Sequence, residues 1–216
     1  MTARLKLVIF DCDGVMFDSK NANRHYYNHI LDHFEKPPMT DEELEFVHTH
    51  NVIDSVDHIF RRYPEAAPVA QQYRQTVDYV PYLQYMKMEP DLIDFLEFLK
   101  PRHFTAISTN RTTTMGTLLD SFALRPYFQM VVTAFDVENP KPHPEALQKI
   151  LDHFKLGVEE TIFIGDSMID REHTRSMDMR MIAFRNRNLP AEYHVDSFTE
   201  IRTLPLFTGE NRKQAI

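Results

Sequence analysis

The chain has little cysteine and little glycine, and it is short of positive charge. Its 216 residues include a single cysteine, Cys12, so no internal disulfide can form and a reducing compartment is expected. It has five glycines and no G-x-x-x-x-G-K sequence, which argues against a P-loop kinase. With 24 Lys and Arg against 32 Asp and Glu, the net charge is −8. Neither nucleic acid nor an anionic membrane is therefore an expected partner.

Long hydrophobic runs are missing as well. No stretch approaches the roughly 20 apolar residues that a membrane helix needs. The apolar segment after Lys6 stops at Asp11, which is too short for the core of a signal peptide. A composition of 43% hydrophobic and 26% charged residues is ordinary for a globular chain, and this length suffices for one core plus a sizeable insertion. We therefore expect a cytoplasmic monomer or homodimer that acts on a small molecule.

The pattern of apolar residues changes along the chain. Residues 17–85 have helical periodicity throughout, with Ser19 and Thr40 placed to cap the first two helices and a last helix expected from about 73 to 80. After Pro90 helices and strands alternate. Strands are expected at 7–10, 104–108, 130–133, 161–165, 181–184 and 193–195, and helices at 92–99, 114–124, 144–154, 171–177 and 197–204.

This alternation predicts an α/β fold with a doubly wound parallel sheet. The helical segment interrupts the core directly after the first strand. We predict a core domain made of residues 1–16 and 87–216, and a helical cap domain made of residues 17–86.

Four of the predicted strands or the loops after them end in reactive residues. The segments are Asp11–Gly14, Ser108–Asn110, Lys141–Pro142 and Gly165–Ser167, the last followed by Asp170. Because open α/β sheets bind ligands at the carboxyl ends of their strands, we expect these segments to form one active site.

The residue types suit phosphoryl transfer. Clustered carboxylates repel one another, so a hard divalent cation such as Mg²⁺ is their natural companion. The Thr109 hydroxyl, the Asn110 backbone amide and the Lys141 ammonium group are donors that suit the oxygens of a phosphoryl group. The expected partner is therefore a small phosphorylated metabolite.

The four segments, in this order, resemble the four motifs of the haloacid dehalogenase (HAD) superfamily, and the chain is most similar to its phosphoglycolate phosphatase-like branch with a helical cap. The resemblance implies that Asp11 is the phosphorylated nucleophile and Asp13 the general acid and base. It also implies that Thr109, Asn110 and Lys141 hold the phosphate. A sheet order with the first strand beside the second and fourth core strands is implied too.

The resemblance also implies a Mg²⁺ site. Its ligands would be the carboxylate of Asp11, the backbone carbonyl of Asp13 and the carboxylate of Asp166. Asp170 and Ser167 would support these ligands without binding the metal. The expected activity is hydrolysis of a phosphoglycolate-like or sugar-phosphate-like monoester through an aspartyl-phosphate intermediate.

Other functions are weighed against this one. A phospho-receiver domain also gathers acids, Thr and Lys at strand ends, but there the Lys comes last, whereas Lys141 precedes Asp166 here. A catalytically idle binding protein is disfavoured because Asp11 and Asp13 are both intact. Phosphosugar mutases of the family typically carry a His in the first cap helix where this chain has Asn23. His25 lies about 200° further around that helix, so a hydrolase is favoured.

Overall fold

A computed structural model describes residues 4–50 and 52–208 of the chain, apart from the side chain of Thr49. The chain divides into two compact units, one made of Met1–Phe17 and Met88–Ile216 and the other of Asp18–Lys87. No helix in the described ranges combines the length and the apolar character needed to cross a membrane.

The first unit is built on a six-stranded parallel sheet. Its strands are β1 (Leu7–Phe10), β4 (Phe104–Ser108), β5 (Met130–Val132), β6 (Thr161–Gly165), β7 (Arg180–Phe184) and β8 (Tyr193–Val195), in the order β5-β4-β1-β6-β7-β8. The first strand thus lies between the second and fourth core strands. The expected fold class and strand order are confirmed. The strands β4 and β5 are added on one side of β1 and the strands β6, β7 and β8 on the other, so the order of addition reverses at β1.

Helices follow the strands and cover both faces of the sheet. They are α5 (Leu92–Leu99), α6 (Met115–Ser121), α7 (Glu145–Phe154), α8 (Met168–Arg175), α9 (Phe198–Ile201) and α10 (Pro205–Thr208). Side chains alternate along β1: Leu7 and Ile9 join a buried cluster with α7, whereas Phe10 packs against Phe95 of α5 and Phe198 of α9. Burial on both faces explains why β1 is an uninterrupted apolar run.

The second unit is helical. Its elements are α1 (Lys20–His33), α2 (Asp41–Thr49), α3 (Val52–Ile59), α4 (Ala67–Tyr73) and a 3₁₀ helix (Val80–Tyr85). Eleven buried residues form its own core: Tyr26, Tyr27, Ile30, Leu31, Met39, Leu44, Val47, Val56, Ile59, Phe60 and Ala70. Two short strands, β2 (Phe17–Asp18) and β3 (Lys87–Met88), pair where the chain passes between the units.

Local capping differs from expectation at one of the two positions. Thr40 caps α2 through a complete capping box with Glu43, as predicted. Ser19 lies at the N-cap position of α1 but makes no side-chain capping bond. The Asp18 carboxylate accepts a hydrogen bond from the Lys20 N–H at 3.0 Å instead. The charged side chain of Asp18, one residue before Ser19, therefore accepts from an N–H group at the start of α1 in place of the Ser19 hydroxyl.

Two predicted helices are displaced. In place of the helix expected at 73–80, α4 begins earlier, with Pro68 in its first turn, and ends at Tyr73. The chain becomes helical again only at Val80, whose N–H donates to the Asp78 side chain at the start of the 3₁₀ helix. The helix expected at 171–177 spans Met168–Arg175, since the Ser167 side chain caps it three residues earlier than the apolar pattern suggested.

Candidate active site

Asp11 directly follows β1, at the carboxyl end of this central strand of the sheet. The Asp11 N–H donates to the carbonyl of Ile164 at 2.9 Å, so the backbone still follows the β6 ladder at this residue. The chain then turns sharply, because the Cys12 carbonyl accepts from the N–H groups of both Met16 and Phe17. Asp11 is 7% exposed. Cys12 is fully buried, and burial raises the pKa of its thiol well above the usual value.

Gly14 allows this turn to approach the end of β6. Its φ is +81°, a left-handed conformation that side chains rarely adopt. A Cβ placed on Gly14 would also collide with the carboxylate of Asp166. The absent side chain therefore lets the turn after β1 lie directly against Asp166.

Lys141 binds two of the aspartates. Its Nζ donates to Asp11 Oδ1 at 2.6 Å and to Asp170 Oδ1 at 2.7 Å. Nζ also lies 5.5 Å from the centre of the Phe163 ring. Burial by itself lowers the pKa of Lys141, but the charges of Asp11 and Asp170 outweigh it and raise that pKa. The side chain is therefore a permanent buried cation beside the predicted nucleophile.

Asp170 organises the loop after β6. Its Oδ2 accepts from the backbone N–H groups of Asp166 and Ser167, both at 3.2 Å, and from the Ser167 hydroxyl at 2.7 Å. The Ser167 Oγ in turn accepts from the Asp170 N–H, which completes a capping box for α8. Burial raises the pKa of Asp170, but Lys141 and the bonds from Ser167 overcome it and lower that pKa. Asp170 thus holds Lys141 and the Asp166 loop in place as an ionised group.

The negative charges of two carboxylates, Asp11 and Asp166, are not fully balanced by neighbouring positive charge. Burial raises the pKa of Asp11 to about 7 despite the opposing charge of Lys141, and Asp170 adds to the rise. The pKa of Asp166 is raised well above its usual value, mainly by burial and then by the charges of Asp170 and Asp11. A cation in contact with both carboxylates would relieve this repulsion.

The donor set fits a divalent cation. Carboxylate oxygens of Asp11, Asp166 and Asp170 all lie within 4.8 Å of one another. Both Asp170 oxygens already accept hydrogen bonds, so Asp11 and Asp166 offer the oxygens suited to a hard metal. Asp13 is not in this cluster of side chains. That is compatible with a ligand role for its backbone carbonyl only.

The end of β4 brings the predicted phosphate-binding residues to the same edge. Thr109 is 4% exposed, and its N–H donates to the carbonyl of Val132, so it still pairs with β5. The Asn110 side chain donates to the backbone carbonyl of Lys141 at 3.0 Å. Asn110 therefore links the β4 end to the loop that carries Lys141, a role for its side chain that the sequence did not reveal.

Sequence reasoning missed three polar residues around the site. Arg111 forms a two-point ion pair with Asp13, and its place directly after Asn110 was the only signal that could have identified it. Asn186 donates to the Asp166 carbonyl at 2.8 Å from the loop after β7. His173 of α8 is fully buried against Ser108.

His173 is neutral in this setting. Burial, and then the charge of Lys141, lowers its pKa to about 4. Its Nδ1 is 2.8 Å from the His143 carbonyl, which can only accept, so Nδ1 carries the proton. Nε2 therefore accepts from the Ser108 hydroxyl at 3.1 Å. This chain of bonds ties α8, the end of β4 and the loop after Lys141 together.

The chain is similar in sequence to known proteins. The sequence model of the haloacid dehalogenase-like hydrolases matches residues 8–184, a range that contains all four motif segments. A curated relative, pyrophosphatase PpaX of Bacillus pumilus, is 25% identical over 168 residues, which cover 77% of this chain and 76% of the relative.

Solved structures are similar over nearly the whole chain. A HAD-superfamily hydrolase of subfamily IA from Geobacter sulfurreducens is 36% identical, with a TM-score of 0.80 over 93% of this chain and 98% of that one. A predicted phosphoglycolate phosphatase from Haemophilus somnus shares the fold at 20% identity, with a TM-score of 0.79 over 93% of this chain and 98% of that one.

Proposed function

Because the chain belongs to the haloacid dehalogenase-like hydrolases, we propose that it is a Mg²⁺-dependent phosphatase that hydrolyses a small organic phosphate monoester through an aspartyl-phosphate on Asp11. The contact that carries the proposal is the one between Asp11 and Lys141, 2.6 Å apart and both buried, beside Asp166 at the carboxyl edge of the sheet. A buried carboxylate held by a cation, with phosphate-binding donors around it, is suited to nucleophilic attack on phosphorus. The helical segment 17–86 is proposed to serve as the cap domain of this family.

Asp11 and Asp13 divide the chemistry between them. An Asp11 oxygen attacks phosphorus, the bond from phosphorus to the leaving oxygen breaks, and Asp13 gives that oxygen a proton. Water then attacks the phosphorus of the aspartyl-phosphate, and Asp13 accepts the proton of that water. The bond from phosphorus to Asp11 breaks, inorganic phosphate leaves, and both aspartates return to their starting state.

The other residues bind and orient. Lys141 neutralises charge on Asp11 and on the phosphoryl oxygens, and Thr109 and the Asn110 backbone donate hydrogen bonds to those oxygens. Asp170 and Ser167 keep Lys141 and Asp166 in position. Asp11, the Asp13 carbonyl and Asp166 would hold Mg²⁺, which when bound neutralises the phosphate and polarises it for attack.

The substrate is proposed to be a small phosphorylated metabolite. The similarity to a pyrophosphatase at 25% identity makes inorganic pyrophosphate a second candidate beside phosphoglycolate and sugar phosphates. All three present a terminal phosphoryl group to the same nucleophile, so one assay of phosphate release can compare them.

The test measures phosphate release from p-nitrophenyl phosphate, phosphoglycolate, sugar phosphates and pyrophosphate, with Mg²⁺ and with EDTA. We expect activity with Mg²⁺, and a loss of about 10³-fold or more in Asp11→Asn with no change of fold. Asp32→Asn, an exposed carboxylate of α1, is the matched control and should keep full activity. Turnover in Asp11→Asn near the wild-type rate would exclude the mechanism.

A further inference from the structure

Arg111 makes two hydrogen bonds to Asp13, the predicted general acid and base. Its Nε donates to Asp13 Oδ2 and its Nη2 donates to Asp13 Oδ1, each at 2.7 Å. The guanidinium and carboxylate planes thus meet in the two-point geometry that gives the strongest ion pairs. The Arg111 side chain is 9% exposed and the Asp13 side chain 34% exposed. The more exposed carboxylate is therefore bound by a nearly buried partner.

Arg111 is itself anchored on the core. Its Nη1 donates to the Thr114 hydroxyl at 3.1 Å. Its backbone N–H donates to Thr109 Oγ1 at 3.2 Å, and its carbonyl accepts from the Ala134 N–H at 3.0 Å. The Arg111 backbone is thus bound to the segments after β4 and β5, and its guanidinium is bound to the start of α6. The position of Asp13 is thereby set by the strand end that carries the predicted phosphate-binding Thr109.

We propose that Arg111 is a positioning residue for catalysis, which holds the Asp13 carboxylate where it can transfer a proton. This inference rests on the proposed function, because it takes Asp13 to be the acid and base. General acid–base catalysis requires the carboxyl oxygen within hydrogen-bond reach of the leaving oxygen and then of the attacking water. A short side chain that is one-third exposed samples other rotamers unless a second group fixes it.

Kinetic measurements can separate this role from a merely structural one. An ion pair that only joined two loops would affect stability and leave the chemical step alone. A group that acts through Asp13 affects kcat, leaves KM nearly unchanged, and loses its effect when Asp13 can no longer transfer a proton. A lysine can make one of the two contacts but cannot reproduce the planar two-point pair.

The experiment is a double-mutant cycle on Mg²⁺-dependent hydrolysis of p-nitrophenyl phosphate by the full chain, with wild type, R111Q, D13N and D13N/R111Q. We expect R111Q to lower kcat about 10- to 100-fold with KM changed less than about threefold, and D13N to lower kcat about 10²- to 10⁴-fold. In the D13N background, R111Q should cost less than about twofold. R111K should recover part of the kcat lost in R111Q.

Arg125→Gln is the matched control. Arg125 lies after α6 and makes the same kind of two-point pair with Asp120 of that helix, at 2.6 and 2.8 Å, but both side chains are exposed. Its kcat should equal that of wild type. Thermal unfolding of every variant, followed by circular dichroism, checks that the folded protein is compared, and R111K supplies the answer if R111Q does not fold.

The outcomes separate the two proposals. If wild type releases no phosphate, or Asp11→Asn retains activity, the proposed function fails. If those results hold but R111Q lowers kcat equally in the wild-type and D13N backgrounds, changes only KM, or leaves kcat unchanged, then Arg111 does not position Asp13.

Discussion

Replacing Lys141 by methionine should destabilise the fold in a way that depends on pH. The Lys141 Nζ lies 2.6 Å from Asp11 and 2.7 Å from Asp170, and the three side chains are 4%, 10% and 0% exposed. Methionine keeps the apolar stem but removes the charge between two buried carboxylates. Because breaking a buried ion pair on one side costs about 3–5 kcal/mol, we expect the free energy of unfolding to fall by about that much at pH 8 in EDTA.

The direction of the pH effect follows from proton linkage. Without Lys141, burial is no longer opposed by its charge, so the pKa values of Asp11 and Asp170 in the folded state both rise relative to those in the unfolded chain. The folded state then binds more protons than the unfolded state, so the penalty is present where the carboxylates are ionised and is relieved as the pH falls. At pH 5 the loss should be about half of that at pH 8, or less.

Urea denaturation followed by circular dichroism measures both values, and Lys100→Met is the control. The exposed Lys100 lies 3.7 Å from Glu97 and 5.4 Å from the Tyr127 ring centre, so its replacement should cost less than about 1 kcal/mol at either pH. A loss below about 1 kcal/mol in Lys141→Met, or a loss that is larger at pH 5 than at pH 8, would refute the reasoning.

Three further predictions follow from single residues. The pKa of His173 is lowered from 6.5 to about 4, so the unfolded state binds more protons between these pH values and stability falls as the pH drops through them. In His173→Gln, the change in the free energy of unfolding between pH 6.5 and pH 4, measured by urea denaturation, should be smaller by up to about 3 kcal/mol. The same pH dependence in the variant and in wild type would contradict this prediction. Gly14→Ala should raise the Mg²⁺ concentration needed for half-maximal activity at least about tenfold, because a Cβ on residue 14 would collide with the Asp166 carboxylate. A half-maximal Mg²⁺ concentration equal to that of wild type would speak against this. Asn23, whose Oδ1 accepts from Tyr79 at 3.0 Å, stands where mutases carry His. β-Glucose 1-phosphate should therefore yield phosphate, if it reacts, and ³¹P NMR showing glucose 6-phosphate would overturn the hydrolase assignment.

Much of the core could be predicted because its signals are local. Each buried strand is a short apolar run, and β1 and β6 stop at Asp11 and Asp166 because polar groups appear where the sheet meets its edge. Four such ends in a fixed order identified the family, and the match over residues 8–184 confirms it. The roles assigned to Asp11, Asp13, Thr109 and Lys141 stay predictions for the assays above.

The helical segment was predicted less well. Its period indicated helices but not where they break: residues 73–80 have a helical pattern, yet the chain leaves α4 at Tyr73 and resumes as a 3₁₀ helix at Val80. The strands β2 and β3 have two residues each, too few for a periodic pattern. Such elements depend on a partner that is distant in sequence, so no local signal marks them.

By itself, the sequence indicated where the buried strands lie and which polar residues follow them, because apolar period and turn residues act over a few positions. The order of the strands in the sheet was implied only by the resemblance to the family, and the chemical roles of the polar residues stay predictions. Only the tertiary structure decided which polar groups meet. Lys141 contacts Asp11 across 130 residues of chain, and Arg111 contacts Asp13 across 98. Contacts over such separations depend on the packing of parallel strands and on side-chain direction, neither of which a pattern of residue types specifies. Charge balance in the site, and with it the raised pKa of Asp11 and the neutral state of His173, is therefore a property of the folded protein.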